Sequence, residues 1–296
     1  MNSSRLSCSM DDKLLLEIAK RPFDGHYRKG MRRGKGERRD FIVATLRKAR
    51  LEPREDRYGN VWVESGKTGR QRLLSSHMDV DPLTIKHSKG IRVRDHPRHG
   101  KVYKGILDNA VGCYLNLKLA TSNKNGRKTI HIFTTTEEPA KKKGRDSKMS
   151  ADNVVKTLRM RKIKPSVCVA IDVTYPGLKV PARRLAEVWD DTEYSELFDV
   201  KDGTQTYVDG ITGRSRRKAT NTARQLINHY KKNGGRQSVQ MRELSGWDEA
   251  QSYSKIAPSF AYGPVGYGKF DEPNQTLPKK HLATALRFLR RMTAVE

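Results

Sequence analysis

The amino-acid sequence predicts an α/β fold in three layers, α/β/α, in which helices cover both faces of a mixed, largely parallel sheet. Two observations predict this class. Helix-like and strand-like patterns alternate along the chain, as they do in proteins built from repeated strand–helix units. In addition, the runs TIHIFTT at residues 129–135 and SVCVAID at residues 166–172 are rich in apolar and β-branched residues. Such runs are typical of inner strands that are buried on both faces.

The first half of the chain begins with helices. Leu14, Leu15 and Ile18 recur on one face of a predicted helix at residues 10–20, and a second helix follows at residues 37–49. Short strands come next, and then a helix that opens at Asp108, a residue type favoured at helix N-caps. We predict strands at residues 61–64, 72–76, 91–94 and 102–104, and this helix at residues 108–120.

The second half continues the alternation. Gly234 and Gly235 end a predicted helix at residues 220–233. Further strands are predicted at residues 185–189, 196–201, 205–208, 236–241 and 259–262, and helices at residues 248–255 and 278–292. The sequence has no repeats and no linker rich in glycine, proline or serine. We therefore expect a single domain over residues 1–296, with room for a small insertion at about residues 183–217.

The charge of the chain is unusual. Its 296 residues include 60 Lys and Arg against 33 Asp and Glu, a formal net charge of +27. A field of this sign favours contact with nucleic acid or another polyanion. Neither an RNA-binding signature with interleaved aromatic residues nor a helix-turn-helix signature accompanies it. Basic blocks usually form solvated faces, and that is our expectation for those at residues 28–39, 141–145, 159–164, 214–218 and 279–291.

Several classes of protein are excluded by composition. The longest apolar stretch, residues 167–171, is far shorter than the roughly 20 residues of a membrane span. The N-terminus lacks the apolar core of a signal peptide. Cys8, Cys113 and Cys168 have neither disulfide-framework nor zinc-finger spacing. We expect a protein without membrane contact in a reducing compartment: the cytoplasm, or a viral particle and its host cytoplasm if the chain is phage-encoded.

Polar residues at strand ends carry the strongest chemical signal. His77 follows one predicted strand and Asp172 ends another. Between them lie Asp108 and the adjacent pair Glu137 and Glu138. Ligands of open α/β sheets bind beyond the carboxyl ends of the strands. Imidazole nitrogens and carboxylate oxygens bind zinc and similar cations, and a bridging carboxylate such as Asp108 suits a pair of ions.

Four motifs in sequence order resemble the co-catalytic zinc exopeptidase superfamily, which includes aminopeptidases, tripeptidases, glutamate carboxypeptidases and acyl-amino-acid deacylases. The motifs are SSHMDVDP at residues 75–82, GILDNAVG at residues 105–112, TTTEE at residues 134–138 and AIDVT at residues 170–174. The resemblance covers nearly the whole chain, residues 14–289. It implies the zinc-peptidase fold, two divalent metal ions and the hydrolysis of a terminal peptide or amide bond. Zinc is the expected metal, with manganese or cobalt as alternatives.

The resemblance also implies a ligand set. His77 and Asp172 would bind one metal ion, and Glu138 would bind the other. Asp108 would bridge the two ions, with the peptide bond between Asp108 and Asn109 in the cis form.

Two further residues have catalytic roles by the same resemblance. Glu137 would be the general base, and Asp79 would orient the His77 ring.

The sequence departs from the superfamily at Asp271, which stands where a histidine ligand is usual, and at Trp247, which stands in place of a threonine. Asp271 is either a metal ligand, suited to a harder ion such as manganese or magnesium, or the second metal site is impaired.

The leading hypothesis for function is a metal-dependent exopeptidase or amidohydrolase acting on a peptide or an acylated amino acid. The positive field favours acidic substrates, and Arg183, Arg184 or Arg214 could anchor a substrate carboxylate. Residues 77 and 108 are 31 positions apart, too few for an inserted domain, so we expect a lid that is absent or minimal. The alternative is a catalytically impaired protein of this fold that acts as a basic structural or nucleic-acid-associated component of a ribonucleoprotein or phage particle.

Overall fold

A mixed sheet of eight strands forms the centre of the molecule. It is seen in a computed structural model that describes residues 10–21, 37–80, 90–135, 150–181, 184, 188, 194–199, 201–209, 216–235, 238–242, 249–268 and 274–294. The strands of the described chain are β1 (Arg54–Glu55), β2 (Val61–Ser65), β3 (Thr68–His77), β4 (Arg92–His96), β5 (Gly100–Gly105), β6 (Arg127–Thr134), β7 (Cys168–Ile171), β8 (Gly177–Leu178), β9 (Phe198–Asp199), β10 (Thr206–Asp209), β11 (Val239–Met241), β12 (Ser259–Pro264) and β13 (Gln275–Pro278).

The central sheet has the strand order β1-β2-β6-β3-β7-β12-β10-β11. Strands β6, β3, β7 and β12 run parallel to one another, and β10 runs parallel to β11. Strands β2 and β10 are antiparallel to their neighbours β6 and β12. In this register His77 lies opposite Thr134, and Ser75 lies opposite Ala170. The carboxyl ends of β3, β6 and β7 therefore meet at one edge.

Helices cover both faces of this sheet, which confirms the predicted three-layer α/β/α class. The helices are α1 (Met10–Ala19), α2 (Glu37–Lys48), α3 (Ala110–Ser122), α4 (Ser150–Met160), α5 (Tyr194–Leu197), α6 (Arg216–Lys232), α7 (Glu249–Tyr253) and α8 (Lys279–Thr293). Helices α1, α2, α3, α6 and α8 pack on one face, around a large apolar core. On the other face, Val154 of α4 and Tyr253 of α7 pack with Leu73 and Ile132 in a second core.

A small sheet supports the segment that follows β5. Its strands are in the order β13-β5-β4, all antiparallel, and Gln275 pairs with Gly105. The Gln275 Oε1 atom accepts a hydrogen bond of 2.6 Å from the backbone N–H of Leu107. This contact fixes the chain one residue before Asp108. A further ribbon joins β8 to β9.

The structure corrects several predicted elements. Residues 196–201 do not form one strand, since α5 ends at Leu197 and only Phe198 and Asp199 are extended. The predicted strand at residues 185–189 lies largely outside the described residues, and Val188 within it is helical. Helix α3 begins at Ala110 with Asn109, not Asp108, as its N-cap. Helix α4 and strand β13 were not predicted. The other predicted helices and strands are present within a few residues of their expected bounds.

One basic block is not fully solvated, contrary to expectation. Arg38 and Arg39, the last two residues of the block at 28–39, are 2% and 8% exposed. Arg39 pairs with Glu55 at 2.8 Å, while Arg38 is held by backbone carbonyl groups near the site described below. Among the described helices, none combines the length and the apolar character that a bilayer crossing requires.

Candidate metal centre

Three side chains converge where β3 and β7 end and α3 begins. His77 is the last residue of β3, Asp172 follows β7 directly, and Asp108 precedes the N-cap of α3. The His77 Nε2 atom lies 3.0 Å from Asp108 Oδ1 and 3.5 Å from Asp172 Oδ2. All three candidate ligand atoms lie within 4.8 Å of one another. Among the described residues, His77, Asp108 and Asp172 form a group of potential ligands whose spacing suits a metal ion.

The hydrogen bond between His77 and Asp79 fixes the chemistry of the ring. The His77 Nδ1 atom lies 3.0 Å from Asp79 Oδ1, and both side chains are almost fully buried. A carboxylate is an acceptor, so Nδ1 carries the proton and Nε2 presents a lone pair. That lone pair faces two carboxylate oxygens. Three electron-pair donors that point at one another repel unless a cation lies between them, so the donor set fits a divalent metal.

The Asp108 carboxylate supports the same interpretation. Its Oδ1 atom is buried and accepts no hydrogen bond from any described residue. A buried polar atom without a partner is costly, and a bound cation is one way to satisfy it. The side chain is 17% exposed and that of Asp172 is 25% exposed, so this side of the cluster is partly open to solvent.

The Asp172 carboxyl has an abnormal pKa. Burial, together with the negative charge of Asp108, raises its pKa from 3.8 to about 7, although His77 and a hydrogen bond from the Val173 N–H favour its ionised form. Carboxylates held this close compete for one proton, and a divalent cation removes that repulsion.

The backbone around Asp108 is as the motif resemblance implied. The peptide bond between Asp108 and Asn109 is cis. The Asn109 side chain accepts a hydrogen bond of 2.6 Å from Gly112 N and donates one of 2.8 Å to Ile171 O. Asn109 thus caps α3 and ties this helix to the end of β7, which holds Asp108 and Asp172 at a fixed separation.

Two glycines permit this close approach. A Cβ atom at Gly112 would lie 2.2 Å from Asn109 Oδ1 and 2.3 Å from Ile171 O. A Cβ atom at Gly263 of β12 would lie 1.5 Å from Asp172 O. Side chains at these positions would displace the segments that carry Asp108 and Asp172.

Sequence reasoning missed Arg38, a buried cation next to the cluster. Its guanidinium donates hydrogen bonds to Met78 O at 2.7 Å, Arg21 O at 3.1 Å and Ile18 O at 3.3 Å. Met78 is the residue between His77 and Asp79. Burial lowers the pKa of Arg38, and the neighbouring negative groups oppose that shift. The run of basic residues around Arg38 hid its role, because nothing in the sequence distinguishes a buried arginine there.

Sequence reasoning also missed Glu249, at the start of α7. This carboxyl is 1% exposed and accepts a hydrogen bond from Thr134 Oγ1, at the end of β6. Burial raises its pKa, while hydrogen bonds from Thr134 and Ser75 and the charge of His77 lower it. Glu249 lies two residues after Trp247, where the sequence departs from the superfamily, and this proximity was the available signal.

Several predicted site residues lie outside the described residues. They are Glu137, Glu138 and Asp271, together with Trp247, Arg183 and Arg214. The described part of the site therefore consists of His77, Asp79, Asp108 and Asp172, with Arg38 and Glu249 behind them. Strand β6 ends at Thr134, which lies opposite His77 at the same edge of the sheet.

Comparisons with known proteins agree with this fold. No protein-family model and no curated protein matches the sequence. The TET1 peptidase of Pyrococcus horikoshii, which can assemble into a tetrahedron or a large octahedral shell, superposes with a TM-score of 0.65 at 13% identity, covering 97% of this chain and 100% of that one. An aminopeptidase of the archaeon Desulfurococcus kamchatkensis gives a TM-score of 0.64 at 14% identity, covering 95% and 94%. A Staphylococcus aureus tripeptidase gives a TM-score of 0.58 at 12% identity, covering 96% and 98%.

The chain therefore has the fold of these peptidases, as its motifs predicted. At 12–14% identity the likeness concerns the fold and leaves substrate and mechanism to be argued from the site. The comparisons give no support to a nucleic-acid partner.

Proposed function

We propose that this chain is a metal-dependent exopeptidase that hydrolyses a terminal peptide bond, with an aminopeptidase as the favoured type. The observation that carries the proposal is the convergence of His77 Nε2 with the Asp108 and Asp172 carboxylates at the carboxyl edge of the sheet. The fold shared with aminopeptidases and a tripeptidase supports it.

The proposed cofactor is a pair of divalent ions, zinc in the first instance, with manganese or cobalt as alternatives. His77 and Asp172 would hold one ion and Asp108 would bridge both. The remaining ligands would be Glu138 and Asp271, which rest on the sequence motifs alone. Bound there, divalent ions supply a Lewis acid for the scissile carbonyl and lower the pKa of water.

The residues of this chain would divide the remaining work. Asp79 holds the proton of His77 on Nδ1 and so keeps Nε2 available as a ligand atom. Glu137 would accept the proton of the attacking water and deliver it to the leaving amine. Arg38 fixes the backbone of Met78 and thereby the relative position of His77 and Asp79.

The net charge of the chain bears on the substrate. At +27, the molecule attracts anions from a distance and repels cations. We therefore propose that acidic peptides, or peptides with a free carboxylate near the scissile bond, are better substrates than basic ones.

The test is metal content combined with turnover. The protein is freed of nucleic acid in high salt, and bound metals are measured per chain for the wild type, Asp108→Ala and Glu64→Ala. Glu64 is an exposed acid on β2 and serves as the matched control, because it lies opposite Ile130, four residues before the Thr134 that faces His77. We expect about two metal equivalents in the wild type and in Glu64→Ala, and a loss of metal in Asp108→Ala.

Activity is measured on peptides with a free or acetylated N-terminus and a free or amidated C-terminus. Cleavage only of peptides with a free N-terminus, abolished by chelation and by Asp108→Ala, would support an aminopeptidase. Cleavage that requires a free C-terminus, or release of the acetyl group, would replace the aminopeptidase with another exopeptidase or a deacylase. No metal binding after reconstitution with zinc, manganese and cobalt would overturn the proposal and favour the catalytically impaired alternative.

A further inference from the structure

Helices α6 and α8 carry only positive charges. The α6 sequence RRKATNTARQLINHYKK contains six Lys and Arg, the α8 sequence KKHLATALRFLRRMT contains five, and neither contains Asp or Glu. The two helices lie side by side in one layer, where Tyr230 and Phe288 make an edge-to-face contact at 5.5 Å. Both helices expose basic side chains, and we call the outer surface of this helix pair the α6/α8 face.

The cations on this face are regularly spaced. Arg217, Arg224 and Lys231 are exposed and follow one another every seven residues along α6. Seven residues rise about 10.5 Å along a helix and return to nearly the same side. Lys280 and Arg287 have the same spacing on α8 and are also exposed. Charges in these rows repel one another unless a partner neutralises them.

A groove crosses this face at the C-terminal ends of both helices. It has a volume of about 400 Å³ and is lined by Arg287, Arg290 and Arg291 of α8 and by Tyr230 and residues 233–235 at the end of α6. All three arginines are exposed. We call this cavity the arginine groove. Guanidinium groups present planar forks of N–H donors that match phosphate oxygens.

The arginine groove lies at the opposite end of the sheet from the metal centre. Ala294, which lines the groove, accepts a hydrogen bond of 3.2 Å from Arg127, the first residue of β6. The last residue of β6, Thr134, lies opposite His77. The seven residue-to-residue steps from Arg127 to Thr134 span about 23 Å at 3.3 Å per step. A partner in the groove would therefore leave the metal centre accessible.

The surface chemistry favours a nucleic acid over an acidic protein as the partner. Protein interfaces usually have an apolar core. Among the described residues, Met160 is the large apolar side chain that is exposed, and it lies on α4 in the opposite layer. The α6/α8 face instead presents Lys, Arg, Asn and Gln, which suit a backbone of closely spaced phosphates.

We propose that the α6/α8 face, centred on the arginine groove, binds the phosphate backbone of nucleic acid without reading its sequence. The binding would be electrostatic and independent of the metal centre. The inference depends on the surface of this chain and does not require the proposed peptidase activity.

The experiment measures binding of a labelled 24-base-pair DNA duplex by fluorescence anisotropy between 50 and 200 mM salt. The groove variant is Arg287→Gln/Arg290→Gln/Arg291→Gln. The matched control is Lys156→Gln/Arg161→Gln/Lys164→Gln, which removes the same charge from exposed positions in the opposite layer. Circular dichroism and a thermal melt establish that each variant is folded.

We expect the groove variant to bind the duplex about tenfold or more weakly at 100 mM salt, because three phosphate contacts are lost. Its log–log salt slope should become less negative by about 2.7, at 0.9 for each contact. The control variant should keep nearly the wild-type slope. Both variants should cleave a small uncharged peptide as the wild type does, if the wild type does so.

Three results would overturn the proposal. The wild-type protein could fail to bind the duplex at 50 mM salt. The control variant could lose as much affinity as the groove variant, which would show that the duplex does not bind preferentially at the groove. Polyglutamate at equal charge could displace the duplex as effectively as unlabelled DNA, which would identify a general anion surface or a site for an acidic protein. Each result leaves the metal and turnover measurements unaffected.

Discussion

At the scale of single residues, Arg38 shows how a buried cation supports an acidic cluster through the backbone next to it. Its guanidinium lies among carbonyl groups of Ile18, Arg21 and Met78 and is 2% exposed. An isolated buried cation would be strongly destabilising. Here its N–H donors are used by carbonyls from α1 and from the end of β3, and the Asp79 and Asp108 carboxylates lie close enough to oppose the effect of burial on its pKa.

We predict that Arg38→Met lowers the free energy of unfolding by about 3 kcal/mol. Methionine fills much of the space but leaves the three carbonyls without their donor, and a buried acceptor without a partner costs roughly 1–3 kcal/mol. Chemical denaturation checks the value. Arg47→Met, at an exposed position of the same helix, should change stability by less than about 0.5 kcal/mol. Equal effects of the two substitutions would show that Arg38 has no special structural role.

Some residues of the candidate site could be identified from the sequence, and others could not. His77, Asp79, Asp108 and Asp172 could be singled out because strand ends are visible in the sequence and those ends share one edge of a parallel sheet. Arg38 could not, because its burial depends on carbonyls contributed by residues 17 to 40 positions away. The pattern of basic residues around it favoured a solvated face, and only the tertiary structure distinguishes the buried Arg38 and Arg39 from exposed cations.

At the scale of elements, the close approach of α3 to β7 sets the geometry of the site. The N-cap Asn109 bonds to Gly112 within α3 and to Ile171 at the end of β7. Asp108 precedes this cap and Asp172 follows this strand. The junction between α3 and β7 therefore determines the separation of the two carboxylates, and Gly112 is the residue that allows the junction to close.

We predict that Gly112→Ala destabilises the protein by about 1–3 kcal/mol, because the added methyl group overlaps Asn109 Oδ1 and Ile171 O. The sign of this change in stability distinguishes a crowded junction from an ordinary helix position. In an uncrowded helix the same substitution stabilises by roughly 1 kcal/mol, since alanine is the better helix former. Thermal unfolding gives the sign, and metal binding should weaken in parallel as Asp108 moves. A stabilised variant with unchanged metal affinity would contradict this account of the junction.

Elements were predictable where a local pattern dominates. Strands β6 and β7 and helices α2, α6 and α8 have clear sequence patterns and were expected close to their observed bounds. Strand β13 is only four residues long, and its pairing with β5 joins segments 170 positions apart, as for Gln275 and Gly105. No local signal marks such a pairing. The start of α3 was misplaced because aspartate and asparagine are equally good N-caps and the choice depends on the contact with Ile171.

At the scale of the whole molecule, the sheet separates two chemistries. Its carboxyl edge holds the acidic metal centre, whereas the arginine groove lies at the amino end of β6. The net charge of +27 therefore coexists with a local cluster of carboxylates, because the positive charges on α6 and α8 lie on another face. An overall charge calculated from the sequence could not reveal this separation.

The stability of the whole fold should also depend on pH through a buried histidine at its centre. His131 lies on β6, where its ring contacts Ser65 Oγ and Asn116 Oδ1, both at 2.8 Å. The amide oxygen of Asn116 only accepts, so Nδ1 donates to it and Nε2 accepts from the Ser65 hydroxyl. The ring is thus satisfied in its neutral form. Burial lowers the pKa of His131 from 6.5 to about 3.

The sign of the pH effect follows from this pKa. Between about pH 6.5 and pH 3 the unfolded chain protonates this histidine while the folded protein does not, so the free energy of unfolding falls as the pH falls. His131→Gln keeps a donor and an acceptor but cannot be protonated. Between pH 6 and pH 4 we expect the wild type to lose up to about 1.4 kcal/mol per pH unit more than the variant, because all other titrating groups are common to both proteins. Urea denaturation at intervals of half a pH unit measures the difference, and parallel curves would show that the ring is protonated within the folded protein.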